Sequence, residues 1–299
     1  MGRGNYSEND IKEAARAFTG WGFNMKGQFV FRQAIHDNGS KTFLGNTGNF
    51  GGEDILDILL QQRQTAKHIT QKIYRYLVNE NIDDGKVKWL SERFYQNNYD
   101  IKSLLTDIVT SDWFYQEINI GNRIKSPVEL MVGIRRLLPM QMENDAVQLL
   151  FQKVLGQVLF FPPNVAGWPG GKNWIDSSTL MVRMQIPRVI AAKESINIKA
   201  KGDDDVNMGQ VMEEEVRIKK SRIYANKGAT AEIDWSLVLP IFTDTARENL
   251  LKKISDVLLQ TSSRVPKSTI EKYVQTESRE QFIKSAIINL MSTPEYQLC

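Results

Sequence analysis

Glycine is spread so unevenly along this chain that it separates two kinds of backbone. Ten of the 20 glycines fall in residues 1–52, and three more fall in residues 162–174 together with three prolines. Between and beyond these stretches glycine is sparse, and apolar residues recur at three- and four-residue steps, the spacing of an amphipathic helix. Helices are therefore expected mostly outside the two glycine-bearing regions, and irregular backbone mostly inside them.

The helical signals come in order. Ser7, with Asp10 three positions on, reads as a capped helix start ahead of Ile11, Ala14, Ala15 and Phe18. An apolar run over 53–62 follows, then a second helix that Thr65 would cap. Further helices are expected at 85–97, at 101–111 after Asp100, and at 127–138 with Pro127 in the first turn. The strongest periodicity lies over 145–161, through Val147, Leu150, Phe151, Val154, Leu155, Val158 and Leu159. A helix resumes near Ser177, with Pro187 inside it or at the start of its successor, and others are expected at 243–261, 266–274 and 277–291. The one contrary signal is Phe29–Phe31 and Lys41–Leu44 flanking Asp37-Asn38-Gly39, which reads as a short β-hairpin. The fold class is mainly α: an irregular multi-helix bundle with one short β-hairpin near residues 29–44. The chain is read as a single helical domain, 1–299, with residues 199–232, dense in Asp, Glu and Lys, as a charged insertion or exposed helix.

Composition narrows the function. Of 299 residues, 41% are hydrophobic and 24% charged, and 38 basic against 35 acidic side chains leave a net +3. That gives no general basic field for nucleic acid or anionic lipid. No apolar run reaches the roughly 18–20 residues of a membrane span. The single cysteine, Cys299, rules out an internal disulfide framework and a thiolate metal cluster. Only two histidines are present, so a His-rich zinc site cannot be built; a site with one histidine and carboxylates stays open, and no metal or cofactor is assigned. The Walker, dinucleotide, HExxH, EF-hand and GxSxG patterns are all missing.

Three constellations remain. His36-Asp37, with Lys41 nearby, is a candidate proton-transfer set or pair of metal ligands; the competing reading makes Asp37 and Asn38 turn formers and His36 a polar strand residue. Trp168 and Trp174, beside Asn164, sit in the 162–174 loop and would stack on a sugar or peptide if solvent-facing, or would form the loop's own small core if not. Arg16 and Trp21, candidate ligand-binding residues, bracket a helix end stopped by Gly20, which also reads simply as a C-cap with its hydrophobic contact. Arg183, on the helix after the tryptophan loop, is a candidate anion clamp or ion-pair donor. The three segments are expected to meet, with His36 or Asp37 near the tryptophan loop or Arg183.

These segments also carry a resemblance. Gly4 to Trp21 (GNYSENDIKEAARAFTGW), His36 to Gly45 (HDNGSKTFLG), Lys125 to Leu130 (KSPVEL), Phe161 to Ile175 (FPPNVAGWPGGKNWI) and Leu290 to Leu298 (LMSTPEYQL) resemble hallmarks of the bacterial family called domain of unknown function 1800. The chain is similar to the C-terminal two-thirds of a typical member. The resemblance implies a mostly helical, commonly exported protein, often encoded beside a second exported protein that would be its partner. It implies no enzyme activity. If the chain lacks an N-terminal helical region, Ala14, Phe18 or Trp21 should be exposed. This chain carries no leader of its own, so a periplasmic or secreted location is expected only if the full-length protein has one. Two functions follow: an exported ligand-binding or accessory protein acting with a partner at the cell envelope, with a carbohydrate or peptide ligand, or a hydrolase centred on His36 and Asp37.

Overall fold

A computed structural model describes residues 1–142, 146–192 and 231–299. The protein is mainly α: its described residues form twelve α-helices and three two-stranded sheets. Positions 199–230 of the expected charged insertion lie outside the described residues, and its last two, Ala231 and Glu232, belong to a strand. Contacts gather into two compact units, Met1–Asn119 and Ile120–Cys299.

The first unit opens with α1 (Glu8–Ala17), started by the capping box between Ser7 and Asp10. Two hairpins follow, β1 (Trp21–Phe23) with β2 (Phe29–Phe31), and β3 (Lys41–Phe43) with β4 (Asn46–Gly48). The expected strands Phe29–Phe31 and Lys41–Leu44 thus both form, but not with each other. Each pairs across a tighter turn next to it. Leu44 and Gly45, at φ +46° and +81°, give the two left-handed residues of a short hairpin turn. The nine residues between the expected partners instead hold a 3₁₀ turn at Gln33–Ile35 and the Asp37 loop. Behind the hairpins, Ala17, Phe43, Ile55 and Ile58 form a small core. The helices α2 (Gly52–Leu60), α3 (Arg63–Leu77), α4 (Asp84–Gln96) and α5 (Ile101–Val109) follow. A second core lies among the last three of them, around Tyr74, Val87, Leu90 and Ile108. Thr65 does not cap α3. Its hydroxyl donates to the Leu59 carbonyl at 2.7 Å, closing the end of α2, and α3 begins two residues earlier.

The second unit is built from α6 (Pro127–Leu137), α7 (Ala146–Val154), α8 (Ser177–Ala192) and the helices Trp235–Val238, Leu250–Leu258, Lys267–Glu271 and Arg279–Met291. A two-stranded sheet, β5 (Met140–Met142) with β6 (Ala231–Ile233), joins distant parts of the chain. Leu130, Ile134, Phe151, Ile186, Ile254, Ile287 and Leu290 share one core. The helix expected over 145–161 stops at Val154. Gly156, at φ +82°, takes the left-handed position, and the Gln157 N–H donates to the Gln152 carbonyl at 2.8 Å, a six-to-one closure that ends the helix despite the apolar rhythm beyond it. The helices expected over 243–261 and 266–274 are likewise shorter.

Candidate functional site

In the first unit, the end of α1 and the 36–41 loop are joined by one charged network. The Arg16 guanidinium donates from Nε and Nη2 to the two Asp37 carboxylate oxygens at 2.8 and 3.2 Å, and from Nη1 to both Glu13 oxygens at 3.0 Å. Nη1 also reaches the Ser40 carbonyl at 3.2 Å. Glu13 in turn accepts the Thr42 N–H at 2.9 Å. Arg16, with the Gly39 N–H at 2.8 Å behind it, holds the Asp37 pKa down to about 2. The Thr42 N–H and Arg16 keep Glu13 below the ordinary carboxylate range, while Asp37 and Glu13 raise the Arg16 pKa.

Thr19 is the hinge of this network. Its hydroxyl donates to the Arg16 carbonyl at 2.6 Å and accepts the Asp37 N–H at 2.8 Å. The His36 Nδ1 lies 2.8 Å from the Thr19 carbonyl, so that nitrogen carries the proton and donates, and the ring stands edge-on to Phe31. Lys41 is buried, with 1% of its surface exposed, and its ammonium donates to the Asp37 and Gly39 carbonyls at 2.5 and 3.0 Å. Gly20 sits where a Cβ would come within 2.9 Å of the Arg32 carbonyl and 3.2 Å of the His36 Cβ, so the close approach of these segments needs glycine.

These contacts define the chemistry available. Both Asp37 oxygens are occupied and its pKa is low, so it is a poor proton acceptor at neutral pH. Lys41 and the His36 Nδ1 are spent on main-chain carbonyls. His36, Asp37 and Lys41 are brought together with Arg16, and each of them holds backbone in place.

Trp21 stands at the base of the β1–β2 hairpin, edge-on to Phe18 at 5.1 Å and to Phe29 at 5.2 Å. Ala14 and Phe18 are half-buried, while Trp21 is exposed. The registered pairs Trp21–Phe31 and Phe23–Phe29 put four aromatic side chains on one face of the hairpin. All four are exposed, Phe23 to 74% and Phe29 to 63%. This aromatic face was not legible as a site, although Trp21, Phe23, Phe29 and Phe31 stand at every second position of their strands.

In the second unit, Asn164 shapes its loop by accepting the Ala166 N–H at 2.8 Å, and the Gly167 N–H returns to its carbonyl at 3.0 Å. Trp174 is buried and Trp168 half-buried, so the Trp174 ring offers no bare face to solvent. Arg183 is wholly buried on α8. It donates to the Gln297 side-chain oxygen at 3.1 Å and to the Lys125 carbonyl, and burial lowers its pKa to about 10. Lys125 donates to the Tyr296 carbonyl at 2.6 Å with its ammonium over the Tyr296 ring, and burial lowers its pKa as well. Burial works against the Glu129 carboxylate, but two bonds from Arg123 and the Ser126 N–H outweigh it and keep its pKa low. Lys125, Gln297 and Tyr296 were not singled out as site residues, although two of the motif segments contain them. The expected meeting of segments is realised for Arg16 with His36 to Lys41 in the first unit; Asn164, Trp168, Trp174 and Arg183 belong to the second.

A mainly α protein with a braced loop, an aromatic hairpin and a buried arginine at the root of its C-terminal segment is the class that these features define. The sequence profile described as protein of unknown function (DUF1800) matches residues 1–298, and the chain belongs to that family. No curated protein and no solved structure matches it.

Proposed function

We propose that this chain is a binding or accessory module that acts by docking, and that the Arg16–Asp37–Lys41 network is the brace holding its docking surface. The observation that carries this reading is the exposed aromatic face of the β1–β2 hairpin, beside a loop whose Asp37 and Lys41 side chains are already paired. Against the hydrolase reading stand the occupied Asp37 oxygens and the burial of Lys41. Against stacking of a sugar or peptide on the 162–174 loop stands the burial of Trp174. Action at the cell envelope rests on the family resemblance alone, and fractionation of the native host tests it.

Complementation of a chromosomal deletion separates the readings. The double variant Phe23→Ser/Phe29→Ser should fold with a wild-type melting temperature and fail to complement, whereas His36→Gln should complement. If His36→Gln fails at an unchanged melting temperature while the hairpin variant complements, the hydrolase reading replaces this one.

A further inference from the structure

The hairpin has a tip as well as a face, and the tip presents one bare apolar side chain among polar neighbours. Met25, in the turn between β1 and β2, is fully exposed, directly beyond the Phe23–Phe29 pair. Trp21 and Phe31 form the next pair on the same face, and there the ladder meets the body of its unit: a Cβ on Gly52 would come within 2.6 Å of the Trp21 ring. At about 3.3 Å per residue, the ladder from Trp21 to Phe23 spans about 7 Å, with Met25 beyond it. An interfacial element buries its apolar side to a depth of about 5–10 Å.

The turn pairs part of its own polar groups. The Asn24 side-chain oxygen accepts the N–H groups of Lys26 and Gln28 at 2.9 and 3.1 Å, and its amide donates to the Gln28 side chain at 3.0 Å. The Asn24 N–H donates to the Gln28 carbonyl at 3.0 Å, and the Gly27 N–H to the Asn24 carbonyl at 2.9 Å. These bonds lower the cost of bringing the turn to a membrane interface, where its remaining main-chain groups and the Lys26 ammonium stay hydrated.

Charge selects the occupant. The chain has no general basic field, but from Ala17 to His36 it carries Lys26 and Arg32 and no acidic residue. We propose that the β1–β2 hairpin inserts its Phe23–Met25–Phe29 tip into the interfacial zone of an anionic lipid bilayer, with Lys26 and Arg32 facing the headgroups. This rests on the docking reading above and names its occupant. It is a peripheral attachment, since no helix among the described residues is long and apolar enough to cross a membrane.

Flotation of the whole chain with vesicles tests the inference. Wild-type protein should float with vesicles of mixed phosphatidylglycerol and phosphatidylcholine, and about tenfold less with phosphatidylcholine alone. Phe23→Ser/Met25→Ser/Phe29→Ser should lose flotation by more than tenfold, and Lys26→Glu should weaken binding to the anionic vesicles only. An environment-sensitive dye on Met25→Cys, in a Cys299→Ser background, should shift to the blue on adding anionic vesicles, which reports the tip without disturbing the ladder. The inference is overturned if the wild type stays in solution with both vesicles, if the triple variant floats as well as the wild type, or if the dye does not respond. Should the wild type not float while Phe23→Ser/Phe29→Ser still fails to complement, the occupant is a protein, and the docking reading survives without the bilayer.

Discussion

Arg16 and Asp37, on α1 and on the loop after β2, meet through two parallel hydrogen bonds, Nε and Nη2 of the guanidinium on the two oxygens of the carboxylate. Such a forked pair fixes orientation as well as distance. With Thr19 bonded to both segments, it sets the angle at which the hairpin leaves its unit.

The pair has a pH signature. Asp37 titrates near 2 in the folded chain and near 4 when unfolded, so its contribution to stability is present above about pH 4 and lost as pH falls toward 2. Arg16→Met should lower the urea midpoint at neutral pH, and its gap from the wild type should close between about pH 4 and pH 2. A gap that stays constant through that window would mean that lost packing, not the ion pair, destabilises the variant.

Lys41 should matter for stability rather than for turnover. Lys41→Met leaves the Asp37 and Gly39 carbonyls without their donor and should cost about 1–3 kcal/mol. Urea unfolding gives the magnitude, and faster amide exchange at Gly39 would locate it. An unchanged midpoint would show that water replaces the ammonium at both carbonyls.

Two glycine-to-alanine substitutions should fail for different reasons. Gly45 has open space around its Cβ position but φ +81°, so Gly45→Ala should cost about 1 kcal/mol in backbone strain. A Cβ on Gly52 would lie 2.6 Å from Trp21 and 2.7 Å from Phe18, so Gly52→Ala should cost about 1–3 kcal/mol and move the indole. Near-ultraviolet circular dichroism should change in the second variant and not in the first.

How far the sequence discloses this depends on whether a signal is local. The Ser7–Asp10 cap, Pro127 and the Asp100 cap act within one turn, and each marks its helix start correctly. Periodicity alone is weaker: Val158 and Leu159 continue the rhythm of α7, yet Gly156 ends the helix because a left-handed residue breaks the ladder whatever follows. Strand partners are harder still, since Phe29–Phe31 chooses between Trp21–Phe23 and Lys41–Leu44 by turn geometry that lies outside the strands. Of the site, Arg16 with Asp37 could be suspected as charges. The direction in which Lys41 points, inward to two carbonyls, is decided by the fold of the loop and leaves no trace in composition.

Arg183 offers the sharpest test in the second unit. Arg183→Met strands the Gln297 side-chain oxygen and the Lys125 carbonyl while removing a buried charge; the two lost partners should prevail, at about 2–4 kcal/mol. Hydrogen exchange should quicken at Lys125 and Cys299, whose N–H groups donate to the Gln297 and Arg123 carbonyls. Slow exchange at both sites in the variant would show that the backbone ladder holds without the arginine.

That ladder also sets a timetable. Arg123 and Cys299 exchange both of their main-chain hydrogen bonds, at 3.1 and 2.8 Å, so nearly the first residues of the second unit are paired with the last residue of the sequence. A ribosome making this chain releases each of the helices named above for that unit before the residues that fasten its beginning exist. The first unit has no such wait, because the latest of the residues that build it, Asn119, precedes every residue of the second.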